Sequence, residues 1–426
     1  MSELNLTWRK YGLADNPYFH SPLTIEGGYI PITSFVGRDK EKAEIKNIIA
    51  LGSDVRCLIL GDAGVGKTSL VNFVRDYASK EGFFTPIKEI ELNRLMSGNE
   101  FIILTISSLY EEIKRREIDL GDEWKNKLEA LYELTQYGEL SHDIANITQL
   151  NRYKLMDLFR NLVDILVHPR YKAVLLHFDN LDNIDDHLGL ADLIGDIRDF
   201  LLTKKVIFIF VGDRSLQQIV NFKVRVGQLF LTTPVEVPPL SLIDINKVLK
   251  ERIEKLSVPL LQVTTPHTEE AIEILFKLHQ GNLREILNSL TSCVTSLPAS
   301  NIPIPITGDI LKEVLFNKAN ELYVSKLTPV EKEILIKMIE VPYITPTELA
   351  KETGKSVQNI SSKYIPYFIN LGAVRLKNID GRNKYYEITP QIKWWKLQRT
   401  VREKQESRRK LEIKIGSIVK KLTDFY

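Results

Sequence analysis

Gly61-Asp62-Ala63-Gly64-Val65-Gly66-Lys67-Thr68 is the stretch that decides the fold. It matches the phosphate-binding pattern G-x-x-x-x-G-K-[ST], and its flanks suit the pattern. The β-rich apolar run Val55 to Leu60 leads in, and Thr68 to Tyr77 leads out with helical spacing. In a strand-loop-helix setting the glycines let backbone N–H groups close around a phosphate, and the helix start adds partial positive charge. Asp62, Ala63, Gly64, Val65, Gly66 and Ser69 line such a cradle, Lys67 reaches the β- and γ-phosphates, and Thr68 holds Mg2+. The expected ligand is therefore a nucleotide with Mg2+.

The bulk of the chain sets the surroundings. Its 426 residues suffice for two to four domains, and 44% hydrophobic with 26% charged residues describes an ordinary globular protein. A net charge of +2 says little about partners. Cys57 and Cys293 match no metal-ligand spacing and read as reduced thiols. The first fifteen residues lack the apolar core of a signal peptide, and no stretch approaches the ~18 apolar residues of a membrane span. A cytoplasmic protein without a membrane partner is the expectation.

Outward from the loop, residues 1–34 read as an irregular lead-in broken by Pro17, Pro22, Pro31 and Gly27-Gly28. Val36-Gly37-Arg38 precedes a helical pattern to Leu51; a glycine there lets backbone approach a flat base, and an arginine can stack on one or pair with phosphate. Thr85 to Leu92 has the look of a second strand. A helical region runs from Asn99 to about His168, interrupted near Gly121, Gly138 and Ser141. Ala173 to Phe178 then delivers Asp179-Asn180-Leu181-Asp182 at a strand end, which is how phosphate-loop enzymes place the carboxylate that orders Mg2+. Asp179 is that candidate. Val206 to Val211 ends likewise in Gly212-Asp213-Arg214-Ser215. Strands alternating with helices predict a parallel sheet with helices on both faces and ligands at its carboxyl edge. Residues 232–240 read as the exit from this α/β domain.

Helices are predicted over 242–256, 269–279, 282–296 and 309–323. Gly281 suits a helix end and Asn282 the next cap, which puts Arg284 in a first turn, where the helix dipole disfavours a cation. An anionic ligand nearby would offset that mismatch.

Residues 327–389 predict three helices and a hairpin. Pro329 to Glu340 is the first helix; Thr345-Pro346-Thr347-Glu348 opens the second with a capping box; Ser356 caps a third running to about Asn370, bent by Pro366. Two strands, 373–377 and 385–389, join through Asp380-Gly381. That order makes a winged helix, whose third helix enters the major groove of double-stranded DNA while the wing touches its backbone. Ser356, Gln358, Asn359, Ser361, Ser362 and Lys363 would face bases and phosphates, with Lys377, Arg382 and Lys384 on the wing. A winged helix used for protein contacts is the alternative. Residues 391–426 read as a helical tail with eleven basic residues against four acidic ones. A solvated helical face explains that tail about as well as nucleic-acid contact does.

The order of these features resembles the AAA+ ATPases, and more closely their initiator-type branch of archaeal and eukaryotic origin-recognition proteins, over about residues 35–390. The resemblance implies an AAA+ type three-layer core at 35–237 behind an extension at 1–34, a helical lid at 238–325, a winged helix at 326–390 and a basic tail at 391–426. It implies that Val36, Gly37 and Arg38 lie on the adenine side, that Asp213 stands at the first sensor, and that Arg284 supplies the second sensor to the γ-phosphate. Where the family has a water-polarising glutamate, this chain has Asn180, which can orient water but not accept its proton. Asp182 holds the family's second acidic position, and Asp213 departs from the usual Asn, Ser or Thr. Slow turnover follows, with ATP acting as a conformational state that alters the grip on DNA. Replication initiation is the role implied; a STAND-type signalling ATPase, an AAA+ regulator of transposition and a non-hydrolysing DNA binder are the rivals. A homo-oligomer is compatible with this, and Arg214 or Arg225 could serve a neighbouring subunit's phosphate.

Overall fold

Every strand at the centre of the chain alternates between two apolar destinations, and that alternation builds three layers. The computed structural model describes residues 6–397 apart from 29, 53, 137–150, 169, 182–183, 185, 298–301, 303 and 381–382. Among them, five strands form one parallel sheet in the order β2 (Ile90–Glu91), β3 (Val174–Asp179), β4 (Val206–Gly212), β1 (Val55–Leu60), β5 (Val235–Glu236). Successive strand side chains point to opposite faces. Leu58, Leu60, Leu176, Phe178, Phe208 and Phe210 pack on one side. Cys57, Ile59, Leu175, Ile207, Ile209 and Val211 pack on the other.

The helices that cover these faces are set by their own apolar stripes. After a short N-terminal helix, α1 (Leu6–Arg9), α2 (Asp39–Ala50) and α3 (Lys67–Lys80) cover the second face with Ile45, Ile48, Leu70, Val71 and Val74. The first face carries α4 (Gly98–Arg115), α5 (Asp122–Gln136), α6 (Arg152–Val167) and α7 (His187–Asp196), which supply Phe101, Leu128, Phe159 and Leu190. Ser97 starts α4 with a complete capping box to Glu100. Short helices α8 (Arg198–Leu201), α9 (Ser215–Asn221) and α10 (Val224–Gly227) flank β4. None of the helices described is long and apolar enough to cross a membrane.

Two strands differ from the sequence reading. Pairing at β2 is confined to Ile90–Glu91 instead of 85–92, because the carbonyls of Pro86 and Lys88 accept hydrogen bonds from the Arg75 guanidinium, and Pro86 has no N–H to offer a ladder. Residues read as an exit contribute a fifth strand: Val235 and Glu236 pair with Ile59 and Leu60.

The chain divides into two compact units, His20–Leu256 and a second made of Met1–Phe19 with Ser257–Tyr426. The sheet, its helices and α11 (Leu242–Leu256) belong to the first. In the second, α12 (Glu269–His279), α13 (Leu283–Val294) and α14 (Gly308–Leu322) precede three further helical segments and a hairpin. These are α15 (Pro329–Glu340), α16 (Pro346–Thr353), and a third segment composed of α17 (Val357–Asn359), a π turn (Ile360–Tyr364) and α18 (Ile365–Asn370). Pro366 lacks an N–H for the i−4 carbonyl, and the chain takes the wider turn just before it. Strands β6 (Val374–Asp380) and β7 (Asn383–Ile388) pair antiparallel, and α19 (Pro390–Lys393) closes the described chain. Ile334, Leu335, Leu349, Ile360, Phe368, Val374 and Ile388 form one core under this winged-helix arrangement. Residues 6–19 of the lead-in are built into the same unit: Tyr11 and Tyr18 are fully buried there.

Candidate nucleotide site

At the carboxyl edge of the parallel sheet, the loop 61–66 runs from β1 into α3. Gly66 caps α3 with φ +93°, a conformation that L side chains adopt only with strain. A Cβ on Gly61 would stand 2.5 Å from the Val237 carbonyl oxygen, so that position is closed to side chains by packing. No side chain caps the first turn of α3, and no acidic residue stands in it. Lys67 is buried, and its Nζ donates to the carbonyls of Gly61 at 2.8 Å and Asp62 at 3.3 Å. Each is an oxygen that a phosphate oxygen could replace.

The end of β3 lies beside the start of α3. Thr68 Oγ1 donates to Asp179 Oδ2 at 2.6 Å, and the Asn180 N–H donates to Asp179 Oδ1 at 2.8 Å. Burial pushes the Asp179 carboxyl above its ordinary range, against the lowering effect of those two hydrogen bonds. A desolvated carboxylate paired with a hydroxyl is a hard-oxygen set, and it fits Mg2+. Asn180 takes φ +63°. Asparagine enters that left-handed region more readily than glutamate does, which gives a backbone reason for the departure seen at this position.

Other residues read as nucleotide contacts have occupations of their own. Arg38 is buried at φ +58°, and its guanidinium donates to the carbonyls of Val65 at 2.7 Å and Pro238 at 2.6 Å, with Glu41 at 3.5 Å. Burial lowers its pKa despite Glu41 and Asp244. It thus braces the phosphate loop from behind. Beside it, Val36 is half-buried, and Gly37 has φ +74°. Ser69 Oγ accepts the Leu23 N–H at 3.0 Å, and Asp213 Oδ1 accepts from both Ser215 N and Ser215 Oγ. Arg214 pairs with Glu236 at 3.4 Å, and Arg225 is exposed. Asp182 lies outside the described residues.

Sequence reasoning missed a buried polar row behind the site. Thr68, Asn72 and Arg75 recur at i, i+4 and i+7 along α3. Arg75 is wholly buried and donates to Asn72 Oδ1, Thr85 Oγ1 and the carbonyls of Pro86 and Lys88, with Glu89 at 3.7 Å. Burial drops its pKa to about 10 even with Glu89, Glu112 and Asp179 near. The available signals were an arginine on an apolar helix face and a histidine, His177, inside an apolar strand.

In the second unit, Asn282 Oδ1 accepts the Glu285 N–H at 3.3 Å and starts α13, placing Arg284 exposed in the first turn. Gly281, with φ +79°, follows the end of α12. The residues expected to face DNA are all exposed where described: Ser356, Gln358, Asn359, Ser361, Ser362 and Lys363 on the third helical segment, Lys377 and Lys384 on the hairpin. Ser356 Oγ accepts the Asn359 N–H and Ser362 Oγ donates to Gln358 O, so two of these hydroxyls already have local partners. Lys377 pairs with Glu387 at 3.0 Å, and Arg375 with the same carboxylate at 2.8 Å. Arg382 and residues 398–426 of the basic tail lie outside the described residues.

Comparison with known proteins bears on the fold. The family model described as AAA ATPase domain matches residues 34–197. An uncharacterised HTH-type transcriptional regulator of Methanocaldococcus jannaschii is 22% identical over 408 residues, covering 92% of this chain and 94% of that protein. Among solved structures, the ORC2 protein of Aeropyrum pernix in its ADPNP–ADP complexes matches with a TM-score of 0.51 at 14% identity, over 93% of this chain and all of that one. Cdc6p of Pyrobaculum aerophilum gives a TM-score of 0.46 at 13% identity over 92% and 99%. Residues 34–197 thus match the AAA ATPase domain, and the fold is like that of the Aeropyrum ORC2 protein.

Proposed function

We propose that this protein is an AAA+ ATPase in which ATP binding and slow hydrolysis govern the grip on double-stranded DNA. One observation carries the nucleotide half. The Thr68 hydroxyl and the Asp179 carboxylate, 111 residues apart in sequence, meet at 2.6 Å at the mouth of the phosphate loop. Bound Mg2+ would spread the charge of the phosphate oxygens it touches. Lys67 exchanges its loop carbonyls for β- and γ-phosphate oxygens, and the first-turn N–H groups of α3 take the β-phosphate. Asn180 orients a water without accepting its proton, which keeps hydrolysis slow. Val36, Gly37 and Arg38 border the base, and Asp213 and Arg284 respond to the γ-phosphate. The Aeropyrum relative's nucleotide complexes support an adenine nucleotide as ligand.

The DNA half rests on the exposed polar start of the third helical segment and on the relative named as an HTH-type regulator. Replication initiation or DNA maintenance is the role in view, with a homo-oligomer compatible. A second reading has its own observation: Glu387 pairs with both Arg375 and Lys377 and offsets one of their two charges, which leaves the wing less basic than those two residues alone would make it and favours a STAND-like use of this unit for protein contacts. Duplex binding by the full chain, measured with ATP, ADP and no nucleotide across a salt series, separates the two. A salt slope of several phosphates together with an ATP-dependent affinity supports the proposal. Equal affinity in every nucleotide state removes the coupling, and no salt-dependent binding at all favours the protein-contact reading.

A further inference from the structure

Residues 175, 177 and 179 share one face of β3, the face covered by α3, so His177 stands directly behind Asp179. The His177 side chain is wholly buried. Arg75 Nη1 lies 3.2 Å from its Nδ1. A guanidinium can only donate, so Nδ1 accepts and the ring proton sits on Nε2. Among the described residues that Nε2–H has no hydrogen-bond partner, although Asp179 Oδ2 is 3.7 Å away. A buried donor left unmade is unfavourable, and natural interiors rarely keep one without a use. That Oδ2 is the carboxylate oxygen that also receives the Thr68 hydroxyl.

We propose that His177 is a positioning residue for the Asp179 carboxylate, its Nε2–H aimed by Arg75 and closing on Oδ2 when that carboxylate serves Mg2+. The inference rests on the reading of Thr68 and Asp179 as the Mg2+ pair of a nucleotide site. Three donors then hold the carboxylate: Asn180 N on Oδ1, and Thr68 Oγ1 and His177 Nε2 on Oδ2. Outer donors of this kind fix the direction of a metal-binding carboxylate, and their loss typically weakens the metal's hold 10- to 100-fold. Arg75 extends the arrangement, because the cation that fixes the imidazole tautomer also holds the carbonyls of Pro86 and Lys88.

The test titrates the full chain with a fluorescent ATP analogue, once with Mg2+ and once with EDTA. For the natural sequence Mg2+ tightens binding. His177→Leu is expected to reduce that tightening about tenfold, leaving the EDTA affinity unchanged. His177→Gln, whose terminal amide N–H can stand near the Nε2 position, is expected to recover most of it. A His177→Leu protein with the natural Mg2+ effect, or with equal losses in both titrations, overturns the proposal. Absence of nucleotide binding by the natural sequence in either titration fails the nucleotide reading itself, and the inference with it. Should the variants not fold, 15N NMR of the histidines in the natural protein decides. An Nε2–H tautomer whose resonance moves on adding Mg2+ to the nucleotide-bound chain supports the role, and an Nδ1–H tautomer or an unmoved resonance refutes it.

Discussion

Asn180 shows how backbone and chemistry compete for one residue. At φ +63° the position strains a long side chain, and a left-handed conformation costs most L residues about 1–2 kcal/mol. Asparagine lowers that strain and keeps an N–H on Asp179 Oδ1, but forfeits a carboxylate able to take a proton from water. Asn180→Glu should therefore raise the steady-state ATPase rate at least tenfold, since general-base catalysis is worth about 10²–10⁴. Its chemical denaturation midpoint should fall by the equivalent of about 1 kcal/mol. Asn180→Gly, which relieves the strain without supplying a base, should be no faster than the natural chain. Were the glutamate variant equally slow, the water-orienting position would lie elsewhere.

At the scale of elements, α12 and α13 are joined through Ser289. Its hydroxyl donates to the Glu285 carbonyl at 2.8 Å and accepts the Trp394 indole N–H at 3.0 Å, while His279 Nε2 stands at 2.9 Å. With its one proton spent on Glu285, Ser289 accepts a hydrogen bond from His279, so Nε2 is the protonated nitrogen and Nδ1 is, among the described residues, the buried atom without a partner. Burial drops the His279 pKa to about 3, helped by Lys393. The unfolded chain, with an ordinary pKa near 6.5, binds a proton that the folded one refuses, so the stabilisation is complete above about pH 6.5 and is lost as pH falls towards the folded value. Between pH 6.5 and 5 this residue alone should remove about 1.6 kcal/mol, the slope approaching about 1.36 kcal/mol per pH unit at the lower end. His279→Gln, which retains a donor for Ser289, should flatten that slope in urea unfolding followed through this unit; an unchanged slope would show that His279 is not its source. Elements of this sort were legible in the sequence when local chemistry dictated them: Asn282 and Thr345 as caps, the run before Gly61 as a strand. Illegible were features set by partners far along the chain. Two residues suffice for β5 because β1 stands ready to pair with them. The shortening of β2 depends on Arg75, fifteen residues earlier, and within 85–92 only Pro86 hints at it. The same holds at the site, where glycine spacing picked out the phosphate loop, but the row behind it shows only when Arg75 and His177 are placed on facing elements.

For the whole molecule, the least expected feature is where the first nineteen residues belong. Read as an irregular lead-in to the nucleotide domain, they form part of the unit that otherwise begins at Ser257. Leu13 bridges Ser257, and the N–H groups of Val258 and Thr264 donate to the carbonyls of Gly12 and Tyr11. Gly12, at φ +77°, could not carry a Cβ, which would meet the Gln262 carbonyl oxygen at 2.5 Å. Tyr11 donates to the Ile304 carbonyl, and the Tyr18 hydroxyl meets His267 Nδ1 at 2.6 Å. Trp8 packs on Tyr18 edge to face at 5.6 Å. Removing one such aromatic from a core costs about 3–5 kcal/mol, and a whole domain commonly holds only 5–15. Deleting residues 2–19 from the full chain should therefore abolish cooperative unfolding of the second unit, seen as the loss of a calorimetric transition and rapid amide exchange across α12 to α14. The next residues anchor separately, since Leu23 accepts from Asn72 Nδ2 at 3.1 Å and donates to Ser69 Oγ. ADP affinity in the first unit should accordingly survive the deletion within about threefold, because ADP carries no γ-phosphate for Arg284 to meet and sites that share no partners behave nearly additively. A truncated chain that keeps both transitions would show that residues 6–19 decorate the second unit without completing its core. One that loses nucleotide affinity along with that transition would show instead that the two units fold as one.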